Sequence, residues 1–255
     1  INRSQTVGVN APEFLEVQRD RFGMAVILTG ALRQGSASEL IGISVPDPAE
    51  RFLFHWQAAL KNAGVRGWRL ARVEKKQKLI LSEPAIAKID SPTLAELVSE
   101  TNLNSNNLYA EVLRQWILQR SKFTLDSFGV DQKHYRLADG SGLARANLAS
   151  PVALVQVLQM MANEAAFRDS LPVAGRKGSL INRFRNSIAL NRVQAKTGFL
   201  TGSVALSGYV TPKAHPPVAF SILLNHAIGN LSSQQGAIDE MVTLLADLDQ
   251  QACRP

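Results

Sequence analysis

With 255 residues, 45% of them apolar, the chain has room for one large or two modest domains with a real core, which excludes a disordered chain. A net charge of +7 favours an acidic partner, whether a polyanionic cell envelope, an anionic substrate or nucleic acid. The lone Cys253 excludes an internal disulfide framework and a cysteine-rich metal site, and no run approaches the roughly 18 to 20 consecutive apolar residues of a membrane span. The opening residues "INRSQTVGVN" are polar rather than signal-like, and a start at Ile1 instead of Met suggests a processed product or an excised piece.

Residues 1 to about 82 alternate short apolar runs with turns, "MAVILTGAL" from Met24 and "ELIGISVP" from Glu39. A helix is expected from Pro48, where Phe52, His55, Trp56, Ala59 and Leu60 recur at three and four residues and Gly64 closes the pattern. "KKQKLILSE" reads as a strand. "DSPTLAELVSET" opens a second helix, with Ser91 in the capping position and Pro92 as its first residue. The polar knot "TNLNSNN" interrupts it, and a third helix follows from Leu108, its buried side expected at Leu108, Val112 and Trp116 with Leu113 and Ile117. Ser105 therefore falls at a helix-to-helix junction.

"LADGSGLARANLASP" is turn chemistry leading into a helix that Ser150 can cap. Residues 176 to 196 carry Arg176, Lys177, Arg183, Arg185, Arg192 and Lys196 with no acid among them. "RVQAKTGFL" and "SVALSGYV" read as paired strands, "VAFSILLNH" as a third across a wide loop, and "SSQQGAIDEMVTLLADL" as an amphipathic helix through Ile238, Met241, Val242 and Leu245. There is no internal repeat.

Each polar feature has a plain structural explanation by itself. "SNN" at 105 to 107 suits helix capping, "DGSG" at 139 to 142 suits a turn, and "KTG" at 196 to 198 suits an edge strand blunted by a lysine. Their order and placement point elsewhere. Ser-x-Asn between two helices, and about 90 residues later Lys-Thr-Gly on a strand opening a hairpin, match the second and third parts of the active-serine penicillin-binding signature, whose first part is Ser-x-x-Lys.

"SNNLYAEVLRQ", "LADGSGLARANLASP", "LPVAGRKGSLINRF" and "AKTGFLTGSVALSGYV" together resemble the low-molecular-mass penicillin-binding proteins of the D-alanyl-D-alanine carboxypeptidase/endopeptidase type, peptidase family S13. The likeness runs from about residue 90 to 255, and "VPDPAERFLFHWQAALKNAGV" resembles the family's inserted domain. The resemblance implies an α+β fold of the β-lactamase/transpeptidase kind, an antiparallel sheet flanked by helices. Residues 1–82 would be part of an inserted α+β accessory domain and 83–255 the C-terminal part of the penicillin-binding domain.

The implied activity is acyl transfer from D-Ala-D-Ala peptides of peptidoglycan through an acyl-enzyme that β-lactams mimic, with no metal or organic cofactor. Ser105 would relay a proton to the leaving amine, Asn107 would hold the substrate amide, and Lys196 would supply positive charge for the terminal carboxylate. Thr197 would offer that carboxylate a hydroxyl, and Gly198 would let the substrate pair like an added strand. The Phe199 N–H would form half of an oxyanion hole. Family members usually carry Thr or Ser at that last position, so the resemblance implies that Phe199 departs from the pattern and would lack one hydroxyl able to bind carboxylate. Ser141, Leu143 and Arg145 would lie near the peptide side chain, Arg145 facing an acidic group on a cross-linking diamino acid.

No serine of the chain has a lysine three residues on, so the nucleophile is expected on a segment outside these residues. An alternative of another class stays open: a non-catalytic peptidoglycan-binding domain that keeps the cleft. His55, His134, His215 and His226 are scattered and carry no ligand spacing. The basic stretch lacks interleaved aromatics beyond Phe184, which favours an anionic wall polymer over nucleic acid. The implied location is extracytoplasmic, in the periplasm or cell envelope, with peripheral association to the envelope left open.

Overall fold

The computed structural model describes residues 1–20, 25–38, 41, 43–67, 88–122, 124–226 and 230–248. The strand expected over "KKQKLILSE" and the lone Cys253 lie outside them. The chain divides into two compact units, Ile1–Ala85 and Ile86–Pro255.

The first unit holds strands β1 (Asn2–Val7), β2 (Phe14–Arg19) and β3 (Val26–Arg33), with β3 central, parallel to β1 and antiparallel to β2. Helix α1 (Pro48–Asn62) starts where Asp47 accepts the Glu50 N–H and Pro48 fills the first turn. The periodicity correctly places this helix but not its burial. None of its residues is buried; Phe52 stacks on Trp56 one turn away, 6.2 Å between ring centres, and both remain exposed.

The second unit opens with α2 (Leu94–Leu103) and α3 (Asn107–Arg120). The start of α2 differs from expectation: Thr93, not Ser91, is the cap. Thr93 Oγ1 accepts the Glu96 N–H at 3.3 Å while Glu96 accepts the Thr93 N–H at 2.8 Å, a reciprocal pair that Ser91 has no acid to form. The expected buried side of α3 is likewise corrected. Leu108, Val112 and Trp116 are exposed, while Leu113 and Ile117, expected beside them, do face inward and line an apolar cavity of about 690 Å³ together with Ala110. The apolar circumference of α3 is wider than one face, so spacing alone does not select the side that packs.

After the two-residue strands β4 (Tyr135–Arg136) and β5 (Leu148–Ala149) come α4 (Pro151–Met160), capped by Ser150, and α5 (Ala165–Ser170). Strands β6 (Val193–Leu200), β7 (Ser203–Val210) and β8 (Val218–Asn225) form an antiparallel sheet in chain order, followed by α6 (Leu231–Ala246). Alternation along β7 sorts the two faces. Val204, Leu206 and Val210 join Val193 and Ala195 of β6 in a core with Ile238, Val242 and Ala246 of α6. Tyr209 turns to the opposite face, packs with Leu158 and Leu171, and donates its hydroxyl to the Leu158 carbonyl. Helices thus cover both faces of an antiparallel sheet, the α+β layering expected.

Candidate active site

The site is built where α2 ends. Asn104 closes the helix, Ser105 adopts φ 54°, and the Asn106 N–H reaches back to the Thr101 carbonyl at 3.1 Å. That is a left-handed helix stop, the position glycine usually takes because a side chain there costs about 1–2 kcal/mol. A serine in its place turns a hydroxyl out of the junction. Asn106 then caps α3 by accepting the Tyr109 N–H at 3.2 Å. Glu100 accepts from Asn104 at 2.7 Å and from Asn106 at 3.2 Å, holding the junction together.

Opposite stands the edge of the sheet. Among the described strands β6 pairs with β7, through Lys196↔Ser207 and Gly198↔Ala205, and a single bridge joins Gln194 to Val173 on its other side. Its outer side is covered at first: Ala174 N–H donates to Val193 O and Ala195 N–H to Pro172 O, both at 3.0 Å. Among the described residues no backbone group continues this cover past Ala195, so the edge opens at Lys196. Strand alternation points the Thr197 and Phe199 N–H groups outward as it does that of Ala195.

Lys196 bridges the two walls. Its Nζ donates to Ser105 Oγ and, at 2.9 Å, to the carbonyl of Thr197. Burial holds the ammonium below the usual lysine range. An ammonium has no acceptor, so Ser105 Oγ accepts and its own proton stays free to donate. Asn107 opens α3 beside it with its carboxamide unpaired among the described residues and exposed to the cleft. A cavity of about 670 Å³ is lined by Ser105, Asn107, Lys196, Thr197, Gly198 and Phe199.

The third wall is the loop from Asp139 to Asn147. Asp139 accepts from Asn147 Nδ2 at 2.8 Å, Gly142 N–H at 2.7 Å and Ala144 N–H at 2.8 Å, and Ser141 donates to it at 3.1 Å. These donors, Asn147 foremost, pull its carboxyl down to about 2. The loop is locked onto α3 by Gly140, whose N–H donates to Glu111 at 2.6 Å. A Cβ at Gly140 would sit 2.5 Å from the Ala110 carbonyl oxygen, so only glycine permits this approach. Ser141 and Leu143 line the cavity, Leu143 as an exposed apolar rim. Arg145 does not line it; its guanidinium reaches 3.4 Å from the Thr201 carbonyl at the hairpin turn.

Three positioning residues escaped the sequence reading. Asp139 and Asn147 fold the loop, a role that the Asp-Gly-Ser-Gly turn pattern hints at for Asp139 alone. Ser179, in the single turn Gly178–Leu180, places its hydroxyl 2.7 Å from that of Thr197, and nothing in local spacing reveals it. None of the four histidines lines the cavity, and no cluster of His, Cys, Asp or Glu suited to a metal occurs among the described residues.

The model of the D-Ala-D-Ala carboxypeptidase 3 (S13) family matches residues 1–248. The chain belongs to the peptidase S13 family. This S13 chain is 28% identical to the penicillin-sensitive carboxypeptidase A of Dictyostelium discoideum, over 87% of the chain and 47% of that protein. It is 30% identical to a D-alanyl-D-alanine carboxypeptidase of an Actinomadura species, over 88% of the chain and 45% of that protein. It thus spans about half the length of these relatives. Penicillin-binding protein 4 (dacB) of Haemophilus influenzae, solved in complex with a β-lactam, superposes with a TM-score of 0.71 at 22% identity, covering 97% of this chain and 62% of that one. The S13 chain therefore has the β-lactamase/transpeptidase-like fold of a penicillin-binding protein.

Proposed function

We propose that these residues form part of a serine-type D-alanyl-D-alanine carboxypeptidase/endopeptidase acting on peptidoglycan stem peptides outside the cytoplasm. The observation that carries this reading is the hydrogen bond from Lys196 to Ser105 across the cleft, between residues 91 apart in the chain. A serine hydroxyl attacks the penultimate carbonyl, and the proton it gives up passes through its base and the Ser105 hydroxyl to the departing D-alanine nitrogen. Asn107 holds the substrate amide. Lys196 and Thr197 face the terminal carboxylate, while the outward N–H of Phe199 stabilises the oxyanion. Water or an amine then takes the acyl group. Leu143 and Ser141 flank the peptide side chain, and Arg145 supplies charge from the hairpin side.

The attacking serine is not among the 255 residues, which hold no Ser-x-x-Lys. The test compares the full-length gene product with this chain, using a fluorescent penicillin. The full-length protein is expected to be labelled covalently, with Lys196→Ala slowing labelling by about 100-fold; this chain alone is expected to stay unlabelled. Failure of the full-length protein to label, with peptidoglycan still bound, would leave the non-catalytic binding reading standing instead. No helix among the described residues is long and apolar enough to cross a membrane.

A further inference from the structure

Phe199 brings no hydroxyl to the open edge of β6. Along β6, alternation puts the side chains of Thr197 and Phe199 on one face and those of Lys196 and Gly198 on the other. A hydroxyl at position 199 would therefore have stood next but one to that of Thr197. In this chain a second hydroxyl reaches Thr197 from a different element: Ser179 Oγ and Thr197 Oγ1 are 2.7 Å apart.

We propose that Ser179 is a carboxylate-binding residue of the site, forming a two-hydroxyl fork with Thr197 at an edge where Phe199 offers no hydroxyl. Each hydroxyl carries one proton and accepts at two lone pairs. With no anion present the two satisfy each other. An incoming carboxylate has no proton and accepts at both oxygens, so it draws one O–H from each partner. Two donors so close together suit the two oxygens of one carboxylate, and the neighbouring Lys196 ammonium favours the negative charge.

The position is built rather than incidental. Gly178, at φ 64°, brings its backbone so close to the end of α2 that a Cβ would lie 3.0 Å from the Leu103 carbonyl oxygen and from Pro172. The Lys177 ammonium ties the same turn to the Asp169 carbonyl at 2.5 Å. Ser179 is thus held beside the open edge of β6 while its side chain stays exposed to an arriving ligand.

This inference rests on the proposed function, and the experiment separates the two. In the full-length protein, kcat/KM is measured on a D-Ala-D-Ala peptide with a free terminal carboxylate and on the same peptide capped as the carboxamide, alongside penicillin labelling. Ser179→Ala is expected to lower kcat/KM on the free acid by about tenfold, mainly through KM, and on the amide by less than about threefold. Ser179→Thr is expected to restore the preference, and Thr197→Ala combined with Ser179→Ala to be less than additive. An unchanged acid-to-amide ratio in a Ser179→Ala protein that still labels with penicillin overturns this proposal alone. Absence of labelling in the unsubstituted protein overturns the proposed function, and this proposal with it.

Discussion

Burial holds Lys196 below the ordinary lysine value of 10.5, so folding opposes its protonation. The resulting loss of stability is full where both states carry the proton, below the depressed folded value, and fades as pH rises toward 10.5. Lys196→Met is therefore expected to melt above the parent chain at pH near 7, with the gap narrowing as pH approaches 10; a gap independent of pH would contradict the burial of a charge. Ser105 makes a matching sacrifice in its backbone, at φ 54°. Ser105→Gly should exceed Ser105→Ala in stability by about 1 kcal/mol in urea unfolding. Both substitutions should abolish any role for the hydroxyl. At this scale the sequence names the residue types, since Ser-x-Asn and Lys-Thr-Gly are readable as strings. It does not give their meeting, since the two residues stand 91 positions apart in the chain.

Among the elements, the loop from Asp139 to Asn147 has the clearest dependence on solution conditions. Its carboxyl is held near 2 against an ordinary 3.8, so its contribution is complete above 3.8 and is lost as pH falls toward 2. Backbone amides of Gly142 and Ala144 should lose exchange protection over that window, and Asn147→Ala should shift the loss to higher pH by removing the largest cause. Retained protection at pH near 2 would argue against the clasp. Helices and strands of this unit were legible because capping residues and alternation are local: Ser150 caps α4, and the β6–β7 hairpin follows its pattern. The α2 cap was misplaced because two candidate caps lie within three residues and only the reciprocal bond to Glu96 separates them.

For the second unit as a whole, distant chain segments are joined by few but well-placed polar contacts. Arg183 grips Asp239 of α6 through Nε at 3.1 and 3.2 Å and through Nη2, with the arginine side chain only 12% exposed. Asp239→Ala leaves a largely buried guanidinium without its acid and is expected to cost about 1–3 kcal/mol in chemical denaturation, without moving residues of the cleft. At the other end, Ser170, 1% exposed, accepts from Asn102 at 2.7 Å and donates to the Phe167 carbonyl at 2.6 Å, tying α2 to α5. The second link braces the helix that ends at Ser105, while the first ties the segment after Ser179 to α6. Neither is visible in the sequence, because their partners lie 56 and 68 residues apart.

The sequence by itself determined the elements, the order of the motif residues and the membership that those motifs announce, because helix stops, strand alternation and short polar signatures are written in neighbouring positions. Only the tertiary structure decided which surfaces pack and which hydroxyls meet. α3 exposes Leu108, Val112 and Trp116 rather than burying them, and Ser179 reaches Thr197 from a turn whose local spacing names no partner for it. Such choices are made by long-range packing, in which one face wins over another by what lies against it, and no local pattern encodes that neighbour.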